Sequence, residues 1–214
     1  CPVKIWDEKA RPRMLSCFPL LGLVVGGLWC LPALLPAGGA RAFLLTAAPF
    51  LLTGCIHLDG FMDCCDAIFS RRDLEKRQQI LKDSHVGAFA VIGIAVLLLA
   101  QFAVMASTKE NANIWILVFI PAVSRCCSAL AVTVLKPMQT SQYADQKKPK
   151  CHITILVIMT VLFTAAGFLF CGRYGFAVLG CLIGYGTALR KAYKSLEGMN
   201  GDISGYALSI GELC

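Results

Sequence analysis

The chain has 214 residues, of which 15% are charged and 57% hydrophobic, with 19 glycines and a formal net charge of +7, whereas about 25% charged residues is usual in a soluble protein. With a mean hydropathy of +0.68, this composition excludes a soluble globular fold and points to an integral membrane protein, a single all-α domain over 1–214. The twelve cysteines form no C-x-x-C pair and read as small core residues, not a zinc or disulfide framework; the basic balance reads as Lys and Arg retained on one membrane face, not as a nucleic-acid partner.

Charge-free stretches predict the elements. Residues 14–40 give the first, long enough for the roughly 20 residues that cross a bilayer, with Pro32 and Pro36 ending its helix. The second, 42–56, is short, kinked at Pro49 and completed at the interface by Arg41 and His57. A polar segment, 57–85, leads to the third, 86–108, and then to the fourth, 111–135, interrupted only by Arg125. After a loop at 136–150, residues 151–172 form the fifth and 174–189 the sixth, completed by Arg190. The expectation is a polytopic bundle of about six transmembrane helices, with no internal repeat and no cleavable signal peptide at the start. Alternating crossings collect 1–13, 57–85, 136–150 and 190–214 on one face, with 16 of the 20 Lys and Arg, which makes that face cytoplasmic. It also receives 12 of the 13 acids. Acids do not set topology, so their segregation needs a chemical reason.

The segment after the second crossing begins His57-Leu58-Asp59-Gly60-Phe61-Met62-Asp63-Cys64-Cys65-Asp66. On a helix, Asp59, Asp63 and Asp66 project within about 60° of one another. Three like charges on one stripe repel unless a cation lies against them, and a hard ion such as Mg²⁺ suits carboxylate oxygens while leaving positions for water and substrate phosphates. The alternative is a solvated helix start, but the stripe abuts a membrane segment and alternates with Phe61, Met62, Cys64 and Cys65, as a polar seam in a bundle does. Gly60 lets a ligand or second helix approach the backbone. Residues 73–83 read as an amphipathic helix along the interface. Its surroundings supply Arg71, Arg72, Lys76, Arg77 and Lys82, suited to anionic membrane lipid or to substrate phosphates. Arg125, at membrane depth, needs a partner or cavity. Residues 198–205, G-M-N-G-D-I-S-G, are a Gly-broken turn carrying Asp202; because they share a face with the stripe, Asp202 is expected close to Asp59, Asp63 or Asp66. Gly22-x-x-x-Gly26 and Gly180-x-x-x-Gly184 are helix-packing patterns.

Taken together, HLDGFMDCCDAIFSRRD, ILKDSHVGAF at 80–89, SR at 124–125 and MNGDISGYALSIGEL at 199–213 resemble the adenosylcobinamide-GDP ribazoletransferase (cobalamin 5′-phosphate synthase) family, over nearly the whole chain. The resemblance implies a Mg²⁺-dependent enzyme of the bacterial inner (cytoplasmic) membrane, with its active site on the cytoplasmic face. It would join adenosylcobinamide-GDP to α-ribazole or its 5′-phosphate and release GMP. It further implies apolar segments outside both ends of this chain, and it leaves a homo-oligomer open. By motif position, Asp59, Asp63, Asp66 and Asp202 are the expected metal ligands, and Asp59, Asp63, Asp66 and Asp83 the catalytic acids. Arg71, Arg72, Lys82 and Arg125 are the expected phosphate-binding residues. His85 stands where the family often has Arg, and 138–150 lacks the Gly-rich pattern usual there. Another membrane phosphoalcohol transferase is the nearest competing class, but its D-G-x-x-A-R run is broken by Asp63; a proton-coupled transporter needs an acid at membrane depth, where the sequence offers only Arg125.

Overall fold

In a computed structural model, residues 11–109, 112–138 and 150–214 are described. The expectations for 1–10, for Glu110 and for most of the 138–150 loop lie outside them. Nine α-helices form among the described residues: α1 (Arg11–Trp29), α2 (Gly39–Leu52), α3 (Ile56–Phe69), α4 (Leu74–Ile80), α5 (Ala88–Ser107), α6 (Ile116–Val134), α7 (Lys150–Cys171), α8 (Phe176–Leu196) and α9 (Gly201–Leu213).

By length and apolarity, α1 with the turn after it, α5, α6 and the run 152–196 can each cross a membrane, and α2 with α3 is long and apolar enough only as a pair bent by 90°, a broken span or a re-entrant loop. The run 152–196 holds both α7 and α8. It doubles back after Gly172, at φ +55°, and a methyl group built on Gly167 would sit 3.0 Å from Val178. Counting α7 and α8 separately agrees with about six crossings. The bend between α2 and α3 is made by Gly54 and Cys55, both left-handed at φ +65° and +60°, a conformation that strains any residue with a Cβ.

The most buried span is α6, and α1, α7, α8 and α9 pack around it. Both Gly-x-x-x-Gly patterns lie at close contacts. A methyl group on Gly26 would sit 2.5 Å from the Leu117 carbonyl oxygen of α6, one on Gly22 would strike Pro121, and one on Gly180 would sit 2.5 Å from the Cys214 carbonyl. Without side chains there, the helix backbones approach and gain dispersion contacts that lipid cannot supply. Fully buried Trp29 ties α1 to α2, its indole N–H donating to the Leu45 carbonyl at 2.7 Å. Ile92, Val96, Leu99 and Val161 lie exposed, as lipid-facing side chains should. The cysteines with described side chains are all free thiols, six of them buried in the helix packing.

Two segments differ from their expected form. The interfacial helix is shorter than 73–83, because Asp73 caps it by accepting from the Lys76 amide and the chain turns at Leu81. The tail is not only a turn: after a left-handed Glu197 it reverses, pairs Met199 with Lys136 and Met138 through backbone hydrogen bonds of 2.9 and 3.0 Å, and enters α9. That helix is buried against α3, α6 and α8. Glu212, read as an acid of the polar face, therefore lies inside the bundle.

Candidate active site

The site is built where α3 meets the start of α9. Position 60 decides how close they come: a methyl group on Gly60 would lie 2.7 Å from the Cα of Asp202, so only glycine allows this approach. Asp59 and Asp63 flank that contact on α3, with Asp59 exposed and Asp63 half-buried. Asp63 stands in the field of Asp59, Asp202 and Asp66. The stripe and the tail acid, separated by 143 positions in sequence, thus form one acidic seam.

Asp202 is positioned by its own cap. Asn200, at the N-cap of α9, accepts from the Ile203 amide at 2.9 Å, and its side-chain amide donates to Asp202 at 2.6 Å. Burial holds the Asp202 carboxyl above the ordinary aspartate range, with Asp59 pushing it further up and the Asn200 hydrogen bond opposing both. Asn200 escaped the sequence reading, although Asn before Gly-Asp is a helix-start signature.

Asp66 is engaged differently. One oxygen accepts from the Gly87 amide at 2.6 Å and the other from the Ala90 amide at 2.9 Å, so it caps the N-terminus of α5. A carboxylate there satisfies free amides and meets the positive end of the helix dipole. Asp83 stands apart on the exposed turn before α5, where the backbone and ring N–H groups of His85 hold its carboxyl below the ordinary range.

Among the described residues, no three His, Cys, Asp or Glu side chains converge into a ready metal cage. Mg²⁺ seldom needs one. It keeps several waters and is usually held by one or two carboxylates together with substrate phosphates. The hard oxygens of Asp59, Asp63 and Asp202, crowded with like charge, fit that chemistry, while both oxygens of Asp66 already carry a hydrogen bond.

Of the expected phosphate residues, Arg72 and Lys82 are exposed on the segment that carries α4. Arg71 lines a cavity on the far side of α3 from the acids. Arg125 is fully buried and bonded to Glu212 at 2.5 Å, with Ser124 also donating to Glu212 at 2.7 Å. Its partner had no sequence signal, since nothing local links positions 125 and 212.

Known proteins set this geometry in context. The family model described as Cobalamin-5-phosphate synthase matches residues 1–214. The chain belongs to that family. Among its relatives are proteins named adenosylcobinamide-GDP ribazoletransferase. The one from Clostridium botulinum (strain Alaska E43 / Type E3) is 35% identical, over 99% of this chain and 88% of the relative. That of Clostridium perfringens (strain ATCC 13124) is 37% identical, over 97% and 86%, and that of Lachnoclostridium phytofermentans 35%, over 99% and 85%. No solved structure matches. Both α3 with its acids and the α9 segment carrying Asp202 fall inside the matched region.

Proposed function

We propose that this enzyme joins adenosylcobinamide-GDP to α-ribazole or its 5′-phosphate, releasing GMP, in the bacterial cytoplasmic membrane and with the acidic seam on the cytoplasmic face. The observation that carries the reading is the approach of Asp202 to Gly60, which gathers the acids of α3 and α9 at one point. Family membership and the names of the relatives support the substrates; the concentration of Lys and Arg around the seam supports its orientation.

Asp59, Asp63 and Asp202 would hold Mg²⁺, with Asp66 beside them. Bound there, Mg²⁺ supplies neutralisation of the pyrophosphate oxygens and of the departing phosphate. In the transfer a ribose hydroxyl oxygen forms a bond to phosphorus, the P–O bond to GMP breaks, and GMP leaves with the bridging oxygen. A carboxylate of the seam accepts the hydroxyl proton. Exposed Arg72 and Lys82 attract and orient the phosphates by charge and hydrogen bonding. Half-burial of Asp63 and Asp202 excludes water, which strengthens each of these interactions.

The test is direct: purified protein is supplied with adenosylcobinamide-GDP, α-ribazole 5′-phosphate and Mg²⁺. GMP and a cobalamin product are expected in equal amounts, and neither when Mg²⁺ is chelated. Undiminished product formation in the presence of chelator would remove the metal from the mechanism.

A further inference from the structure

A cavity of about 800 Å³ lies between α3, α5 and α9, walled chiefly by Phe61, Phe69, Phe89, Val96, Leu97 and Ile210. Phe61, Cys65 and Phe69 sit on the face of α3 turned away from the Asp59, Asp63 and Asp66 stripe, so this space is distinct from the acidic seam. It extends along α5 from Phe89 to Ala100. At a rise of about 1.5 Å per residue this is roughly 16 Å, close to half of the ~30 Å hydrocarbon core and hence one leaflet deep.

The two ends differ. At the far end, Ala100 and Leu213 offer nothing polar. The near end is fixed by Phe69 and Phe89, whose rings lie 6.3 Å apart, and Ser70 and Arg71 follow there. Lys191 of α8 reaches the same end, its ammonium 4.8 Å from the centre of the Phe69 ring. Two exposed cations, Arg71 in the wall and Lys191 against the Phe69 ring just outside it, are therefore gathered at the near end of the apolar trough.

We propose that this groove is a seat for an anionic phospholipid, with an acyl chain along α5 and the lipid phosphate between Arg71 and Lys191. The acyl chain gains dispersion contacts along the apolar walls, while the phosphate meets positive charge that a zwitterionic lipid engages less strongly. A second copy of the chain is a poorer occupant, because an isologous contact through this face would bring two basic mouths together. The lipid seat does not depend on the reaction proposed above.

The experiment is native mass spectrometry of the purified full chain in detergent, titrated separately with dioleoyl phosphatidylglycerol, dioleoyl phosphatidylcholine and glycerol 3-phosphate. One phosphatidylglycerol per chain should be retained at least tenfold more tightly than phosphatidylcholine, and glycerol 3-phosphate should not compete. The paired reversal Arg71→Glu with Lys191→Glu, at exposed positions, should abolish the preference and leave phosphatidylcholine binding unchanged. Ala100→Trp, filling the deep end, should weaken both lipids at least tenfold, and Ala100→Leu should do so less; melting curves confirm that each variant folds. Equal retention of the two lipids by the unaltered chain, a preference that survives the charge reversal, full competition by glycerol 3-phosphate, or a dimer appearing in place of the lipid adduct would each overturn the assignment.

Discussion

Replacing Asp66 by asparagine should cost stability as well as turnover, because its two oxygens accept the Gly87 and Ala90 amides at the head of α5. An amide has one acceptor oxygen and no charge, so about 1–2 kcal/mol should be lost. Asp59→Asn carries no such burden: it should fold normally and lower GMP release at least a hundredfold in the presence of Mg²⁺. Melting temperatures and initial rates on the same preparations separate the two, and equal stability loss in both would refute the distinct role of Asp66. Asp202→Asn relieves like-charge crowding, so the metal-free variant should melt higher than the parent and gain less from added Mg²⁺. Asp83 gives the pH test. Its folded pKa is depressed by His85, so its contribution is present above the unfolded pKa and is lost as pH falls through the folded one. In His85→Ala the Asp83 carboxyl should titrate at ordinary aspartate values, read by carbon NMR of labelled protein.

At the level of elements, the contact between α3 and α9 rests on one missing methyl group. Gly60→Ala must push backbone against backbone, since its Cβ would lie 2.7 Å from the Asp202 Cα. About 1–3 kcal/mol of stability and at least tenfold in activity should be lost; an alanine variant with normal rate would show that the helices can part without harm. The contact between α6 and α9 is ionic. Arg125→Met alone leaves Glu212 buried without its counter-ion, with only the Ser124 hydroxyl donating to it, and should cost about 3–5 kcal/mol, whereas Arg125→Met with Glu212→Leu should recover most of it. Urea melts in detergent give both numbers, and additive losses in the double variant would refute the pairing. These two contacts also mark what the sequence could convey. The acid stripe was legible because a 3.6-residue period aligns Asp59, Asp63 and Asp66 within a single helix. The ion pair was not, because it is a meeting of surfaces 87 positions apart, and α9 was obscured because its glycines read as breaks although two of them, Gly205 and Gly211, serve close packing.

At the scale of the whole molecule, six alternating crossings predict an asymmetry of access. With all twelve native cysteines replaced, single cysteines at Gln79 and Lys194 should react with an impermeant reagent from one side only, and one at Arg173 from the other; labelling of Gln79 and Arg173 from the same side would refute six crossings. The membrane class was readable from hydropathy because spanning helices need long uncharged stretches, whatever their packing. The bend of α2 into α3 was not, since it depends on two consecutive left-handed residues, Gly54 and Cys55, and a Cys gives no warning of that conformation.

The buried pair between Arg125 and Glu212 also sets an order of events at the ribosome. Arginine enters the bilayer on α6 while its counter-ion is still 87 codons from being translated, and an arginine at mid-depth costs about 2.5 kcal/mol or more. Until the final turn of α9 is made, the nascent bundle carries a cation in its centre without its counter-ion, although Asp202, in the first turn of the same helix, has already been translated. Charge neutralisation of the interior is thus the last event in this order, so a chain released between Asp202 and Glu212 should keep the acids of the seam and yet melt lower than the parent.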